Sequence, residues 1–264
     1  MNMLRITLPE AAENDKLVEL GHFRINVERS SSAITTDTNY ILFDARDAGI
    51  VVKIIGDGSF LQSDMTTVIP GNKITIAADS PTIYFSNGNY QLDISSKYGI
   101  YRFTIGTNAY IDASQDGVFT RLERIGTSNK KSTLSLSSLQ NSGSLQSAQL
   151  GNSGVSGDVS VLKNKAYFRY CTFTNCKDIV GDIGNLGTCP LIENIVVSGT
   201  GLTGSIEDFG NCKSIGNINV AGTQVTGSLA NLAAAMAANG RTSGTLTYTD
   251  KNGVSSSVTF PYNP

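Results

Sequence analysis

The second half of the sequence repeats a pattern of apolar residues at a spacing of 23 or 24 residues. Four segments align, and their first apolar residues are Leu145, Phe168, Ile192 and Ile215. A segment of this length cannot bury its own apolar side chains, so such segments must stack on one another. The repeat therefore predicts a short solenoid from about Leu145 to Leu232, in which each repeat, or rung, contacts its neighbours and each end needs a cap.

Equivalent positions of the four segments carry the same kinds of side chain. The fourth and sixth positions are apolar throughout, at Ala148, Cys171, Ile195 and Ile218 and at Leu150, Phe173, Val197 and Val220. The ninth position holds small polar or thiol side chains, which can hydrogen-bond the turn that leaves a strand: Ser153, Cys176, Thr200 and Thr223. Two residues after an apolar eleventh position comes an unbroken glycine series at Gly157, Gly181, Gly204 and Gly227.

This pattern resembles the plant-type leucine-rich repeat, whose motif L-x-G-x-I-P is clearest in the segments that begin at Leu202 and Val225. Glu207 and Ala230 stand where that motif has proline. The missing proline and the repeat length suggest a bacterial or viral variant. The resemblance implies a solenoid of parallel strands that binds a ligand and performs no catalysis.

We expect rungs at about residues 145–167, 168–191, 192–214 and 215–240, within a unit that spans residues 121–264. Leu136 and Leu139 lie 23 residues before Val159 and Leu162, and Leu122 and Ile125 also fit the register, so a partial rung without the glycine forms the N-terminal cap. The alanine-rich segment 232–238 predicts a short helix. Alternation on both sides of the Asn252-Gly253 turn predicts a β-hairpin, so we expect a helix and hairpin cap that ends the chain over residues 241–264.

Residues 1–120 lack this period and alternate as β-strands do. Turn signals separate six predicted strands, at residues 23–27, 50–55, 73–76, 82–85, 90–94 and 101–105. Strands at this spacing predict a β-rich, sandwich-like domain that acts as a docking or oligomerisation module. Six aromatic residues that lie close together are expected to form core and an oligomer contact rather than a sugar-stacking platform: Tyr84, Phe85, Tyr90, Tyr98, Tyr101 and Phe103. The whole chain is thus predicted to be mainly β.

Two of the four cysteines, Cys189 and Cys212, occupy equivalent positions 23 residues apart and should stack in neighbouring rungs. The favoured interpretation is that all four are reduced packing residues. A disulfide between Cys189 and Cys212 is the alternative. Zinc is disfavoured because no histidine accompanies the cysteines.

The sequence offers little material for catalysis. His22 is the single histidine and is expected to be structural, at the start of a strand. Asp44 and Asp47 flank Arg46, which indicates a solvated turn with local ion pairing, although a glycosidase carboxylate pair is an alternative. No phosphate-binding loop motif is present. We therefore expect a protein that is not an enzyme and that has no cofactor or metal.

Any ligand should contact the exposed strand positions of the solenoid. Among these positions, five residues on adjacent rungs combine charged, aromatic and amide side chains of the kind found at binding hot spots: Arg169, Tyr170, Glu193, Asn194 and Asn217. The alternative is an ordinary solvated face. We refer to these five residues as the polar patch.

Net charge and hydropathy limit the partners. A net charge of −2 and a pI near 5.4 give no footprint for nucleic acid or an anionic membrane, and no segment predicts a signal peptide or a membrane span. The expected function is that of a structural or adhesion protein of a bacteriophage particle, located in the virion and part of an oligomer or larger assembly. Its partners would be other virion proteins, a host surface protein or glycan, or both. A bacterial cell-surface or secreted repeat protein that has lost a leader is the alternative.

Overall fold

The computed structural model describes residues 21–27, 39–96, 99–106, 109–112, 119–127 and 132–262. The strands of the first half are β1 (Gly21–Val27), β2 (Asn39–Leu42), β3 (Val51–Ile55), β4 (Phe60–Leu61), β5 (Val68–Ile69), β6 (Lys73–Thr75), β7 (Thr82–Phe85), β8 (Tyr90–Ser96), β9 (Arg102–Ile105) and β10 (Ala109–Asp112). Those of the second half are β11 (Arg124–Thr127), β12 (Ser132–Thr133), β13 (Ser147–Gln149), β14 (Gly157–Asp158), β15 (Tyr170–Thr172), β16 (Ile179–Asp182), β17 (Asn194–Val196), β18 (Gly201–Thr203), β19 (Asn217–Asn219), β20 (Thr245–Thr249) and β21 (Ser255–Thr259).

Helical segments are short apart from the last one. They are the 3-10 turns Ala45–Asp47, Leu136–Leu139, Val159–Leu162 and Ile206–Phe209, and the helices α1 (Gly184–Gly187) and α2 (Leu229–Ala238). Each strand of the small sheet β14-β16-β18 is followed in the chain by a short helical segment: Val159–Leu162, α1 and Ile206–Phe209 respectively. The repeating unit is therefore strand, turn, back strand and helical turn.

One sheet runs through both halves of the molecule. Its twelve strands follow the order β21-β20-β19-β17-β15-β13-β11-β9-β2-β7-β4-β5. The seven strands from β9 to β20 are all parallel to their neighbours, and the strands at both ends of the sheet pair antiparallel. The solenoid sheet and one sheet of the first half are thus a single structure.

The pairing register places equivalent residues of the repeats side by side. Ala148, Cys171, Ile195 and Ile218 lie opposite one another on successive strands and are fully buried. The predicted partial rung is also present, because Ile125 of β11 lies opposite Ala148. The register continues one strand further than predicted, to Phe103 of β9 opposite Ile125. The predicted division between residues 120 and 121 stays a prediction, and it falls between two strands that pair with each other.

Left-handed backbone explains the glycine series. Gly157, Gly181, Gly204 and Gly227 have φ values of +120°, +106°, +95° and +115°, a conformation that residues with a Cβ rarely adopt. At Gly204, a Cβ would also lie 2.0 Å from the Asp182 Oδ1. The chain can therefore turn onto the back of each rung only where a side chain is absent.

The ninth-position side chains bond the turn as predicted. The hydroxyls of Ser153, Thr200 and Thr223 donate to the carbonyl three residues earlier at 2.5, 2.7 and 2.7 Å. The Cys176 thiol donates at 2.8 Å to the Leu150 carbonyl of the preceding rung. All four side chains are buried, so each hydroxyl or thiol hydrogen finds an acceptor in the turn rather than remaining unbonded in the core.

The first half is a sandwich of the antiparallel part of the large sheet and a six-stranded sheet of order β12-β10-β1-β8-β3-β6. All six predicted strands are present, and β2, β4, β5 and β10 were not predicted. Phe85 and Tyr90 meet edge to face across the two sheets, with ring centroids 6.3 Å apart. Phe85, Tyr90 and Phe103 are buried, which confirms the core role of these aromatic residues. Tyr98 lies outside the described residues, and the oligomer contact stays a prediction.

The C-terminal cap contains the predicted helix and hairpin. Helix α2 begins three residues earlier than predicted, at Leu229, because the Ser228 hydroxyl accepts from the Asn231 amide and caps it there. Strand β20 pairs parallel to β19, and β21 then covers its free edge. Arg241 is buried between these elements, where it donates to the carbonyls of Ile215 at 2.5 Å and Thr245 at 3.1 Å.

All four cysteines are free and buried in this structure, as packing residues are, and their reduced state stays a prediction. The thiols of Cys189 and Cys212 each donate to a carbonyl, of Leu162 and Gly187 respectively, at 3.2 Å. Burial raises the pKa of the Cys212 thiol to about 12 and raises that of Cys171 and Cys189 above the ordinary value. These thiols are therefore protonated and unreactive at neutral pH.

Candidate functional site

The outward side of the parallel strands presents two columns of side chains, which we call the strand face. Because alternate residues of a strand point to opposite sides, each strand contributes two residues around its buried central one. The first column is Arg102, Arg124, Ser147, Tyr170, Asn194, Asn217 and Thr247. The second is Thr104, Gly126, Gln149, Thr172, Val196, Asn219 and Thr249.

Four features of the rungs occur together: one parallel strand per 23 or 24 residues, inward apolar positions, a bonded ninth position and a left-handed glycine. Their order along each rung is that of the L-x-x-L-x-L-x-x-N-x-L-x-G motif. The solenoid is a leucine-rich repeat. It has short helical turns on its back, and its sheet extends into the sandwich of the first half.

No family model and no curated protein matches the chain. Among solved structures, it is similar to an internalin C2 from Listeria monocytogenes, with 10% identity, a TM-score of 0.35 and coverage of 46% of this chain and 50% of the other. The chain is also similar to an internalin, inlF, from Listeria monocytogenes, with 14% identity and a TM-score of 0.29. The match covers 46% of this chain and 40% of the other. A third similar structure is a plant peptide hormone receptor, RGFR1 in complex with RGF2, with 18% identity and a TM-score of 0.37. The match covers 54% of this chain and 26% of the other.

The chain thus spans half or less of the length of these three proteins. The leucine-rich-repeat assignment rests on the rung geometry of this chain, and the role of the strand face has to be argued from its own residues.

The structure brings the five residues of the polar patch together on three adjacent rungs. Arg169 forms an ion pair with Glu193, and the Tyr170 hydroxyl donates to Glu193 Oε2 at 2.6 Å. One strand further along, the Asn217 amide donates to Asn194 Oδ1 at 2.9 Å. The hydrogen bond from Tyr170, with the Arg169 guanidinium, lowers the pKa of Glu193. The patch is therefore held in one arrangement by its own side chains, and its role in binding stays a prediction.

A concavity adjoins the polar patch on the side of the first half. It has a volume of about 350 Å³, and its walls include Arg102, Arg124 and Tyr170, with Gly126 among its lining residues. We call it the arginine concavity. It forms because Gly126 and Ser147 are small and lie between the longer side chains of neighbouring strands.

The sequence did not indicate this concavity. Arg102 belongs to a strand of the first half that carries no repeat signature, and Arg124 belongs to the partial rung that was interpreted only as a cap. The available signal was the spacing of 22 residues between Arg102 and Arg124, which is close to the repeat length.

An ion-pair network includes Glu123 and Tyr101, the residues that precede Arg124 and Arg102 in the chain. Arg46 bonds Asp44 and Glu123, each at 2.8 Å, and its guanidinium carbon lies 4.3 Å from the centroid of the Tyr101 ring. These hydrogen bonds from Arg46 lower the pKa of both carboxyl groups. The predicted local ion pairing is thus confirmed for Asp44.

The expectation of a solvated turn was wrong for Asp47, which is 2% exposed. Its carboxylate accepts from the backbone amides of Asp44 at 2.8 Å, Tyr101 at 2.8 Å and Arg102 at 3.2 Å. Burial raises its pKa. Asp47 therefore fixes the start of β9, and with it the position of Arg102, by bonds to the backbone.

Within the described part of the chain, no group of three His, Cys, Asp or Glu side chains is placed to hold a metal ion. No helix among those same residues is long and apolar enough to cross a membrane. His22 lies in β1, opposite Ser95 of β8, and its side chain lies outside the described residues. The absence of catalysis and of a cofactor stays a prediction.

Proposed function

We propose that this leucine-rich-repeat protein is a non-enzymatic binding protein that takes a protein ligand on its strand face. The observation that carries the proposal is the column of outward side chains on seven parallel strands, which ends in two arginines at one side and contains the bonded polar patch in its middle. Tyrosine and arginine are among the residues most enriched at the energetic centres of protein interfaces.

The strand face has the length and rigidity that such a ligand needs. Seven strands at about 4.8 Å spacing span about 29 Å, which matches an extended segment of about eight residues. Each strand is hydrogen-bonded to both neighbours, and the bonds of Tyr170 and Asn217 hold side chains in place before a ligand arrives. Such preorganisation lowers the entropic cost of binding.

A pair of matched variants tests the proposal. Thr172→Glu with Val196→Glu adds two carboxylates to the strand face, whereas Ser160→Glu with Val180→Glu adds the same charge at exposed positions on the back of the solenoid. Each protein is immobilised and exposed to extracts of its native source, and the captured proteins are identified by mass spectrometry. We expect a protein that is retained by the wild type and by the back variant and lost from the strand-face variant. Equal capture by all three would contradict the proposal.

The second part of the proposal is that the protein acts in a bacteriophage particle. The first half docks the chain into the particle, and the shared sheet holds the solenoid at a fixed orientation for contact with a host surface or a neighbouring subunit. Four free, buried cysteines support assembly in a reducing compartment. A bacterial cell-surface or secreted leucine-rich-repeat protein is the competing hypothesis.

Quantitative mass spectrometry of purified particles and of cell-envelope fractions separates these hypotheses. The particle role predicts tryptic peptides of this chain at a fixed ratio to the major capsid protein. Recovery of the chain in the envelope fraction alone would contradict the particle role and leave the binding function in place.

A further inference from the structure

The arginine concavity carries two positive charges that no carboxylate neutralises by contact. Arg102 and Arg124 lie opposite each other on adjacent strands and point to the same side of the sheet. In the described part of the chain, neither guanidinium forms an ion pair. Arg102 interacts electrostatically with Asp44, and Arg124 with Glu123, without a hydrogen bond between them. The guanidinium that donates hydrogen bonds to both carboxylates is that of Arg46.

The remaining walls are polar and largely neutral. Gln146, Gln149, Thr104 and Thr127 line the space, and Tyr170 closes one side with its ring while its hydroxyl is bonded to Glu193. Two like charges on neighbouring strands repel each other unless an anion lies between them. The cavity therefore combines two arginines that form no ion pair within the described residues, neutral hydrogen-bonding groups and one aromatic wall in a volume of about 350 Å³.

We propose that the arginine concavity binds acidic side chains of a protein ligand, so that the partner carries an Asp- or Glu-rich segment. The guanidinium group presents a planar fork of donors that matches a carboxylate, and such pairs are stronger than neutral hydrogen bonds. The inference rests on the proposed function, because the concavity opens onto the same strand face as the polar patch. An extended segment that places its acidic residue between Arg102 and Arg124 continues across Tyr170 toward Asn194.

A defined peptide provides the probe. A fluorescein-labelled hexaglutamate with blocked termini is titrated with the full chain at low ionic strength and followed by fluorescence polarisation, with hexaglutamine as the neutral comparison. We expect the glutamate peptide to bind at least tenfold more tightly than the glutamine peptide. Its affinity should fall as salt is added, because exposed charges are screened.

Charge-matched variants locate the interaction. Arg102→Gln with Arg124→Gln is expected to reduce the affinity for hexaglutamate at least tenfold. Lys163→Gln with Lys177→Gln removes the same two charges at exposed positions outside the concavity and should leave the affinity within twofold of the wild type. Equal losses in both double variants would reduce the effect to net charge and overturn the proposal.

A steric variant tests the cavity without a change of charge. A Cβ at Gly126 would lie 3.4 Å from Thr104 Oγ1 and 3.5 Å from the Gln149 carbonyl oxygen, which are ordinary contacts. Gly126→Leu therefore fits the strand and places its remaining carbons in the concavity. We expect it to weaken hexaglutamate binding at least fivefold while the thermal midpoint stays close to that of the wild type. A folded Gly126→Leu protein with wild-type affinity would overturn the proposal.

The test also includes the other source of carboxylates. If the wild type prefers polygalacturonate to hexaglutamate, and Arg102→Gln with Arg124→Gln abolishes that preference, the ligand is an acidic glycan and the peptide proposal is wrong. The proposed function fails separately: a partner that is captured through Thr172 and Val196 but is retained after Arg102→Gln with Arg124→Gln contradicts only the present inference.

Discussion

Alanine substitution at Gly204 tests whether left-handed glycines hold the rungs together. Gly204 has a φ of +95°, and the new Cβ would lie 2.0 Å from Asp182 Oδ1, an atom that accepts a hydrogen bond from the Gly184 amide at 2.8 Å. Alanine is strained at this φ whatever its neighbours do, and Asp182 must also move, which weakens that bond. Strain of this kind costs about 1–3 kcal/mol, and the lost hydrogen bond adds about 0.5–1.5 kcal/mol.

The unfolded chain offsets a part of this loss. Replacement of glycine by alanine reduces the entropy of the unfolded state and stabilises the fold by about 0.4–1 kcal/mol. Gly204→Ala should therefore lower the free energy of unfolding by about 1–4 kcal/mol. Gly216→Ala is the matched control, because its nearest atoms would lie at 3.8 and 3.9 Å and its φ is not in the left-handed region.

Urea denaturation followed by circular dichroism measures both variants. We expect Gly216→Ala to unfold within about 0.5 kcal/mol of the wild type, as is usual for a surface change, and Gly204→Ala to unfold at clearly lower urea. If the two variants have the same midpoint, the left-handed turn does not limit the stability of the rung and the reasoning is wrong.

Three further predictions concern buried or bordering charges. Arg241→Met removes the guanidinium that donates to the carbonyls of Ile215 and Thr245 and lies 4.3 Å from the centroid of the Phe260 ring. Urea denaturation should show that its free energy of unfolding falls by about 2–4 kcal/mol. The control Lys251→Met, on the hairpin turn, should change this free energy little. Asp47→Asn loses a charged acceptor for backbone amides and should cost about 1–3 kcal/mol by the same measurement; wild-type stability would contradict its role in fixing β9. Arg46→Gln should cost at most about 1 kcal/mol at pH 7, because its ion pairs are partly exposed. Arg46 lowers the folded-state pKa of Asp44 and Glu123 below their ordinary values of 3.8 and 4.5. The stability that Arg46 contributes is therefore present above about pH 4.5 and is lost as the pH falls through the lowered pKa values. A stability difference between variant and wild type that grows in acid would contradict this sign.

The repeat could be predicted because one rung cannot bury its side chains alone. The apolar residues at equivalent positions, such as Ile195 and Ile218, had to face a common core, and this fixed the strands and their register together. The sequence shows that Gly204 recurs at the same position of each repeat. Its left-handed backbone conformation explains why that position holds glycine. The five residues of the polar patch were predicted for the same reason, because exposed positions follow from buried ones.

Long-range pairing explains what the sequence did not indicate. Strand β9 joins the solenoid sheet through Phe103 and Ile125, yet its own segment reads as an ordinary antiparallel strand of the first half. The buried carboxylate of Asp47 accepts hydrogen bonds from backbone amides 54 and 55 residues further along the chain. A local sequence pattern does not reveal contacts at that separation. The position of Arg102 depends on both features, so the 22-residue spacing to Arg124 was the one sequence signal for the arginine concavity.

Site-specific photo-crosslinking tests the binding role of the strand face most directly. A benzophenone amino acid is placed at Thr172 on the strand face and, in a second protein, at the exposed Ser160 on the back of the solenoid. After irradiation with the native partners present, we predict a discrete crosslinked protein from position 172 and none from position 160. Crosslinks from position 160 alone, or the same products from both positions, would contradict the proposal that the strand face binds the ligand.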